Sequence, residues 1–331
     1  MNLVVTGGCC FIGRNLIVSA RARGFALRVV DDLSAGTRDD LEALGPVRRL
    51  DSRTAKYEWM PEIQILRSDV GDGAVLERAC QGADGVVHLA ANTGIADSLE
   101  DPLGHCASNV VGALTVLEAC RRQGVGRCVI ASSGAAVGDA EPPMHERLLP
   151  NPISPYGASK LAAEAFCRAY RGAFGLGAVA LRFSNVYGPH SGHKSSVVAR
   201  FIGTILEDRP LTIYGDGQQT RDFIYVEDLT EAIVAALGVA RTVAPVYQIG
   251  SGVETSVNTL FGLLGDLAQN RLGRRPRVEH RARRAGEVER NFADISRAHA
   301  DLGFTPATAL GRGLEATFDW FLARRQAPRI R

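Results

Sequence analysis

The sequence predicts an α/β protein built on a doubly wound parallel sheet, with a smaller C-terminal substrate-binding lobe. Three observations lead to this prediction. Short β-branched runs alternate with longer amphipathic stretches through the first half of the chain, and continuous apolar strands separated by helices are typical of a parallel sheet covered on both faces. The first strand runs into a glycine-rich turn, and the second ends in two aspartates, Asp31 and Asp32. Together these features indicate a Rossmann-type architecture.

The predicted strands follow one another at the spacing of βα units. They cover residues 3–6, 27–32, 63–69, 85–90, 127–133 and 179–185. The helices between them are expected to begin at Phe11, Thr37, Gly73, Leu103 and Tyr156. In a doubly wound sheet the ligand lies at the carboxyl ends of the strands, and the glycine-rich turn and the aspartates fall at such ends.

Beyond residue 185 the alternation becomes irregular, and a strand-then-helix pattern returns only at residues 223–237. We therefore expect residues 1–185 to form the Rossmann domain, rejoined by about 221–240. Residues 186–220 and 241–331 are expected to form the smaller lobe.

Composition narrows the class of protein. The 331 residues are 46% hydrophobic and 22% charged with a net charge of +2, so no broad basic field predicts nucleic acid or an anionic membrane as a partner. No apolar run approaches the ~20 residues that span a bilayer, and we expect no signal peptide. Seven cysteines without a regular framework favour reduced thiols in a cytoplasm. The adjacent Cys9 and Cys10 lack the second ligand pair of a zinc site, so no metal is expected.

The turn TGGCCFIG spans residues 6–13, with Gly7, Cys10 and Gly13 on the skeleton of a dinucleotide-binding loop. A strand, a glycine-rich turn and a helix N-terminus present N–H groups and a positive dipole end to a phosphate. The middle position is normally a glycine that lets the backbone approach the pyrophosphate. Cys10 is tolerated there if its φ stays negative. The alternative is a redox-sensitive thiol whose oxidation would place bulk where phosphate belongs.

Asp31 follows Gly13 by roughly 20 residues, the separation at which the acidic residue of this fingerprint falls. A carboxylate there accepts hydrogen bonds from the adenosine ribose and repels a 2′-phosphate, which favours NAD over NADP. The alternative is that Asp31 and Asp32 only begin a surface turn, and Arg38 nearby weakens the preference. Asp69 and Val70, after the third strand, are placed to meet the adenine edge.

The segment SPYGASK, residues 154–160, carries a candidate catalytic pair. Tyr156 and Lys160 are four residues apart and share one helix face, with Pro155 at a favourable helix start. A Lys ammonium near a phenol is expected to lower the pKa of the Tyr from ~10. Such a Tyr can take a proton from an alcohol while hydride leaves the same carbon for nicotinamide. Alone the pattern is usually a surface pair, but the upstream turn gives it a cofactor.

Ser132 and Ser133 end the fifth predicted strand, in ASSGAAVGD. Either hydroxyl can bridge the substrate oxygen and Tyr156. The alternative is a turn of small residues that admits the cofactor.

These motifs occur in a specific order, together with LRFSNVYGP, YGDGQQTRDFIYVEDL and RAGEVERNFADISRA, from residue 4 to about 298. In that order they resemble an extended short-chain dehydrogenase/reductase of the NAD-dependent epimerase/dehydratase family, nearest to UDP-glucose 4-epimerase-like enzymes. The resemblance implies NAD as cofactor, a nucleotide-sugar, most often UDP-linked, as substrate, and a homodimer through helices 103–124 and 156–174. The alternative for these helices is that their apolar faces only cover the sheet.

The resemblance also implies roles for individual residues. Beside Gly7, Cys10, Gly13, Ser132 and the Tyr156–Lys160 pair, the cofactor-contacting positions are Phe11, Ile12, Asp31, Asp32, Leu33, Ser34, Ala35, Gly36, Asp69, Val70, Leu89, Ala90, Ala91 and Asn109. The positions that hold the nucleotide-sugar are Asn185, Arg221 and Arg284, and guanidinium forks suit its diphosphate. The alternative for each arginine is a salt bridge that closes the domains. Asn291 falls at the position that gates the sugar's 2-substituent.

The segment after the fifth strand is one residue shorter than the family pattern S-S-[ST]-x-x-V-Y-G. The third catalytic hydroxyl therefore matches either Ser133 or Gly134. No Asp-Glu or Thr-Glu pair follows, which favours epimerisation over dehydration or decarboxylation. The sequence thus predicts an NAD-dependent nucleotide-sugar 4-epimerase that oxidises and re-reduces C4. The alternatives are another nucleotide-sugar-modifying enzyme of the family and a non-catalytic NAD-binding sensor.

Overall fold

The structure is a computed structural model that describes residues 1–192, 196–239, 244–282 and 288–326. Its strands are β1 (Asn2–Thr6), β2 (Ala26–Asp31), β3 (Val47–Arg49), β4 (Ile63–Arg67), β5 (Gly85–His88), β6 (Arg127–Ser133), β7 (Ala178–Phe183), β8 (Asn185–Tyr187), β9 (Leu211–Tyr214), β10 (Thr220–Arg221), β11 (Phe223–Tyr225), β12 (Val246–Ile249), β13 (Thr255–Ser256) and β14 (Val278–Arg281).

Its α-helices are α1 (Phe11–Ala22), α2 (Arg38–Glu42), α3 (Gly73–Cys80), α4 (Ile95–Glu100), α5 (Pro102–Cys106), α6 (Gly112–Gln123), α7 (Pro155–Phe174), α8 (Val197–Leu206), α9 (Val226–Gly238), α10 (Val257–Leu272), α11 (Ser296–Leu302) and α12 (Leu310–Gln326). A π-helical turn, Ala107–Val111, joins α5 to α6, and a 3₁₀ turn, Gly134–Ala136, follows β6.

Eight strands form the central sheet, in the order β12-β7-β6-β5-β1-β2-β4-β3. Every neighbouring pair in it is parallel. Strand β1 lies between β2 and β5, so the strand order reverses there and the carboxyl ends open a crevice. The doubly wound Rossmann-type fold predicted from the sequence is confirmed.

Separate apolar cores cover the two faces of the sheet and fill the lobe. One face packs against α1, α9 and α11, with Leu16, Leu229 and Leu302 among the buried side chains. The other packs against α3, α6 and α7, and the lobe has its own core between α8, α10 and α12. Because continuous burial holds both faces of the sheet, the loops at the strand ends stand on a rigid base.

The chain returns to the central sheet later than the sequence predicted. Strand β11 pairs with β8 in a small separate sheet, and the strand that joins the central sheet is β12, beside β7. Helix α9 does pack on the Rossmann domain, against α1. The prediction that a strand within residues 221–240 rejoins the central sheet was therefore wrong. A four-residue strand placed by long-range pairing leaves no period in the sequence that would reveal it.

The helical run Pro102–Gln123 is long and apolar enough to cross a membrane by length and composition alone. Its α6 portion buries one face in the core beside α3 and α7, with Ala113, Val116, Leu117 and Cys120 fully covered. One-sided burial of this kind is typical of a core helix.

Candidate active site

A cleft of about 900 Å³ lies at the carboxyl ends of the central strands. It is lined by these residues that the sequence had singled out: Gly7, Cys10, Phe11, Ile12, Asp31, Asp32, Ser34, Ala35, Asp69, Val70, Leu89, Ala90, Ala91, Ser132, Ser133, Tyr156, Lys160 and Asn185. Lining residues that were not predicted include residues 92–97, which run from the loop after β5 into the first turn of α4, and Ser196, Val197 and Val198 of the lobe.

The glycine-rich turn needs its glycines for close approach. A Cβ at Gly7, whose φ is +72°, would lie 2.6 Å from the backbone nitrogen of Ala90. One at Gly13 would lie 2.4 Å from the carbonyl oxygen of Gly7. Gly13 does not line the cleft; it allows α1 to start against the turn, so that the helix N-terminus faces the cavity.

Cys10 is the N-cap of α1, with φ −71° and ψ 171°. This is extended backbone that any residue adopts, so the condition under which a cysteine is tolerated here is met. Its Sγ accepts a hydrogen bond from the backbone N–H of Gly13 at 3.4 Å. The thiol thus takes the place of the usual capping oxygen. Its neighbour Cys9 is fully buried, and burial beside Asp31 raises the pKa of that thiol.

Asp31 ends β2 and is only 6% exposed. Its carboxylate accepts the backbone N–H groups of Cys9 and Leu33, each at 2.8 Å. Burial raises the pKa of Asp31, and these two bonds oppose that shift. Asp31 therefore holds the glycine-rich turn in place and also lines the cleft. Of its predicted neighbours, Leu33 and Gly36 do not line the cleft, and a Cβ at Gly36 would lie 2.2 Å from the carbonyl oxygen of Cys9.

Asn109 sits in the π-helical turn and is buried behind the cleft wall. Its side-chain amide donates to the Asn92 carbonyl at 3.0 Å and to Ser159 Oγ at 2.9 Å, and its oxygen accepts the Asn92 N–H at 2.8 Å. Asn109 does not line the cavity, in contrast to its predicted contact. Asn109 instead holds the loop after β5, because its side-chain amide is hydrogen-bonded to Asn92 in that loop.

Tyr156, Lys160 and Ser133 meet inside the cleft. Helix α7 begins at Pro155, and Ser154 Oγ caps it by accepting the N–H of Gly157 at 3.1 Å. The Ser133 side chain interacts with the hydroxyl of Tyr156 and partly offsets the rise that burial causes in its pKa. Lys160 is 5% exposed; its Nζ donates to the Ala131 carbonyl at 3.0 Å and lies 5.9 Å from the centre of the Tyr156 ring.

The direction of the Tyr156 pKa differs from the prediction. Burial raises it, and the interaction with Ser133 lowers it in part. The expectation that Lys160 brings this pKa below its ordinary value is therefore wrong for this structure. The physical reason is that desolvation penalises the phenolate, while the ammonium of Lys160 is directed at a backbone carbonyl.

His88 is a buried neighbour of this group that sequence reasoning missed. It ends β5, and its Nδ1 lies 2.7 Å from Thr6 Oγ1. Burial and the charge of Lys160 lower the pKa of His88 to about 3. The imidazole is therefore neutral in the working range of pH, which leaves Lys160 as the cation at this end of the cleft.

The two serines after β6 have different partners. Ser132 Oγ donates to Glu164 Oε1 at 2.5 Å, and Glu164 holds Arg182 at 2.8 and 2.7 Å. Because the Ser132 hydroxyl is already hydrogen-bonded to a buried carboxylate, Ser133 is the serine that can contact Tyr156. Gly134, the other candidate for the third hydroxyl, begins the 3₁₀ turn. Glu164 was missed, although it lies four residues beyond Lys160 on the same helix face.

The residues predicted to bind the substrate do not all line the cleft. Asn185 lines the cleft, and its amide donates to the Asp222 carbonyl at 3.3 Å. Arg221 lies on β10 outside the cavity lining, with Nη1 donating to the Thr220 carbonyl at 2.7 Å. Asn291 faces Gly134: its Oδ1 is 4.0 Å from where a Cβ at Gly134 would lie. Arg284 falls outside the described residues.

Buried Asp222 explains why these lobe segments converge. Its carboxylate accepts the backbone N–H groups of Ser251, Gly252 and Ala293 at 2.7, 3.1 and 3.2 Å. The last of these bonds fixes the strip of chain that carries Asn291.

Comparison with known proteins agrees with this geometry. The sequence model of the NAD dependent epimerase/dehydratase family matches residues 3–250. The chain belongs to this family. Its family is NAD-dependent, and the glycine turn, the buried Asp31 and the cleft fit that dinucleotide.

This protein is similar to curated proteins of two different activities, an epimerase and a dehydratase. It is 32% identical over 331 residues to the UDP-glucose 4-epimerase of Mycolicibacterium smegmatis, covering 98% of this chain and 100% of that one. It is 35% identical over 332 residues to the dTDP-glucose 4,6-dehydratase of the same organism, covering 98% and 94%. A crystal structure of the Thermus thermophilus UDP-glucose 4-epimerase in complex with NAD superposes with a TM-score of 0.83 at 32% identity, covering 99% of this chain and 100% of that one.

Proposed function

We propose that this family member is an NAD-dependent 4-epimerase of a UDP-hexose or UDP-N-acetylhexosamine. The observation that carries the proposal is that Tyr156, Ser133 and Lys160 line one cleft, with Lys160 Nζ 5.9 Å from the centre of the Tyr156 ring. The five residues after Ser133 contain no Asp or Glu, so this segment supplies no carboxyl group for acid catalysis of water loss.

NAD, when bound, supplies a hydride acceptor that becomes a hydride donor. Tyr156 takes the proton from the C4 hydroxyl as the hydride leaves C4, and gives it back when hydride returns to the opposite face. Ser133 hydrogen-bonds the same oxygen and keeps it within reach of the phenol. Atoms and electrons balance over the cycle, because the hydride and the proton that leave both return.

Lys160 provides the positive charge that stabilises the Tyr156 phenolate during this cycle. In the structure, burial alone favours the neutral phenol. Lys160 would stabilise the phenolate, since a nearby cation favours the charged form of a phenol, and bound NAD would supply further positive charge to the cleft.

The nucleotide-sugar extends from this site into the lobe. We infer that Asn185 contacts the sugar, that Arg221 and Arg284 hold the diphosphate, and that Asn291 bounds the 2-substituent. Support for Asn291 comes from its position opposite Gly134, one residue beyond Ser133. Tyrosine in place of Asn291 should therefore exclude N-acetylhexosamines while sparing hexoses.

A 4,6-dehydratase is the second candidate, and two observations favour it. One is the dehydratase relative at 35% identity. The other is Asp97, whose carboxylate lies in the cleft lining near Gly94 at the start of α4. If Asp97 is the acid of an elimination, Asp97→Asn should abolish water loss.

We further propose that the chain forms a homodimer through α6 and α7 and works in a reducing cytoplasm. Large exposed apolar side chains lie at the end of α7 and on the elements that precede α6: Phe174 on α7, Ile95 and Leu99 on α4, Leu103 on α5 and Val111 in the π-helical turn. All seven cysteines are free thiols. Sedimentation equilibrium tests the dimer, and a monomer at micromolar concentration would refute it.

The function is tested by incubating the NAD-loaded enzyme with UDP-, dTDP-, GDP- and CDP-sugars and resolving the products by NMR. Inversion at C4 of a UDP-sugar, without accumulation of NADH, is the expected result. Water loss, decarboxylation or stoichiometric consumption of NADH would overturn it. The Asp97→Asn variant separates the two candidates, because an epimerase that does not use this carboxylate keeps its turnover.

A further inference from the structure

Arg14 joins two segments that line opposite ends of the cleft. It lies in the first turn of α1, directly after Gly13, and is 3% exposed. Its Nη1 pairs with the Asp40 carboxylate, and its Nη2 donates to the His190 carbonyl at 2.9 Å. The planar guanidinium suits such a double contact, because its donors form a rigid fork.

On one side, Asp40 closes the loop that follows β2. It forms a capping box with Thr37: its Oδ2 accepts the Thr37 N–H at 3.0 Å, and its own N–H donates to Thr37 Oγ1 at 3.2 Å. The loop that ends at Thr37 lines the cleft with Asp32, Ser34 and Ala35. Arg14 therefore holds the far end of the segment that receives the adenosine.

On the other side, His190 belongs to the turn after β8. Helix α1 makes a second bond to this turn, since Asn15 Nδ2 donates to the Pro189 carbonyl at 3.1 Å. The His190 ring packs against Trp320 of α12 at 5.2 Å between centroids. Strand β8 lines the substrate end of the cleft with Asn185 and Val186. The turn is thus held between a helix of the cofactor domain and a helix of the lobe.

Backbone strain marks both of these segments. The non-glycine residues with positive φ in the described part of the chain are Leu33 at 68°, His190 at 70° and Asp208 at 59°. Two of the three lie in the segments that Arg14 joins. A non-glycine residue in the left-handed region is strained and persists only where its surroundings enforce it, typically at ligand sites.

We propose that Arg14 couples occupancy of the adenosine end of the cleft to the conformation of its nucleotide-sugar end, so that each ligand strengthens the binding of the other. The inference rests on the proposed function for its second ligand. Arg14 acts as a positioning residue, because it contacts neither end of the cavity directly and works through Asp40 and His190.

The test measures release of NAD from the holoenzyme with and without saturating UDP. In the wild type, UDP should slow release about tenfold, a coupling within the usual range for linked sites. Arg14→Lys keeps a cation for Asp40 but loses the fork, and Arg14→Gln loses both contacts. In each variant UDP should slow release by about twofold or less, since Arg14→Lys loses one of the two contacts and Arg14→Gln loses both.

Arg23→Gln is the matched control. Arg23 follows the same helix and pairs with Glu231 of α9 at 2.5 Å, away from the cavity lining, so the tenfold effect should persist. If Arg14→Lys lowers the Tm but retains the wild-type effect of UDP, Arg14 is only structural and the coupling is refuted. If UDP binds the wild-type holoenzyme in calorimetry without slowing NAD release, the coupling alone fails. If UDP does not bind, both the coupling and the proposed UDP specificity fall.

Discussion

Replacing Glu164 by glutamine removes one charge from a buried ion pair and keeps the shape of the side chain. Glu164 and Arg182 are each 2% exposed, and the carboxylate also accepts the Ser132 hydroxyl. In Glu164→Gln the Arg182 guanidinium stays buried without a counter-charge. Breaking a buried pair in this way costs about 3–5 kcal/mol.

That loss converts to a drop of roughly 4–7 °C in Tm for a chain of this size. Turnover at 25 °C should be affected less than the Tm. Glutamine Oε1 still accepts the hydrogen bond of the Ser132 hydroxyl, which keeps the end of β6 in position beside Tyr156. Thermal unfolding by circular dichroism, at saturating NAD for every variant, gives the Tm.

Two further variants sharpen the assay. Glu231→Gln is the exposed control: its carboxylate pairs with Arg23 at the surface, where such pairs contribute about 0–1 kcal/mol. In the Glu164→Leu, Arg182→Leu double variant both charges are gone, and stability should recover most of the loss. A Tm for Glu164→Gln equal to that of Glu231→Gln, or a double variant less stable than the single one, would refute the reasoning.

Three more predictions follow from the phosphate turn and from His88. Gly13→Ala places a methyl group against the backbone of Gly7, at a cost of about 1–3 kcal/mol. The variant should therefore bind NAD roughly 5- to 150-fold more weakly in fluorescence titration. An unchanged affinity for NAD would contradict this packing argument. Cys10→Gly should leave NAD binding equal or tighter, since the position is extended, and a large loss would give the thiol a role. Because the pKa of His88 is lowered to about 3 in the folded state, the unfolded chain binds the extra proton below pH ~6.5, and stability should fall by up to about 1.4 kcal/mol per pH unit as the pH drops from there. His88→Gln should flatten this acid limb in urea titrations, and an unchanged slope would count against it.

The parts of the fold that the sequence predicted are those with strong local signals. Helices α1 and α3 begin at Phe11 and Gly73 as expected, because the glycine turn and an Asp N-cap mark those starts. Strand β12 was missed, since its place beside β7 depends on pairing across more than sixty residues. Short strands of this kind have no period of their own.

The candidate site divides in the same way. Gly7, Asp31, Ser133 and Tyr156 could be brought together from the sequence, because parallel strands deliver their carboxyl ends to one edge. The pKa direction of Tyr156 could not, since it depends on burial that no spacing reveals. Contacts such as Arg14 with His190 join residues far apart along the chain, and only the folded structure shows them.

The most direct test of the mechanism uses a UDP-hexose deuterated at C4. If one hydride leaves C4 and returns to it while Tyr156 holds the proton, the product has inverted C4 configuration and keeps the deuterium there. Tyr156→Phe should give no product while retaining bound NAD. Deuterium lost to solvent or found at another carbon, or full turnover by the phenylalanine variant, would contradict this mechanism.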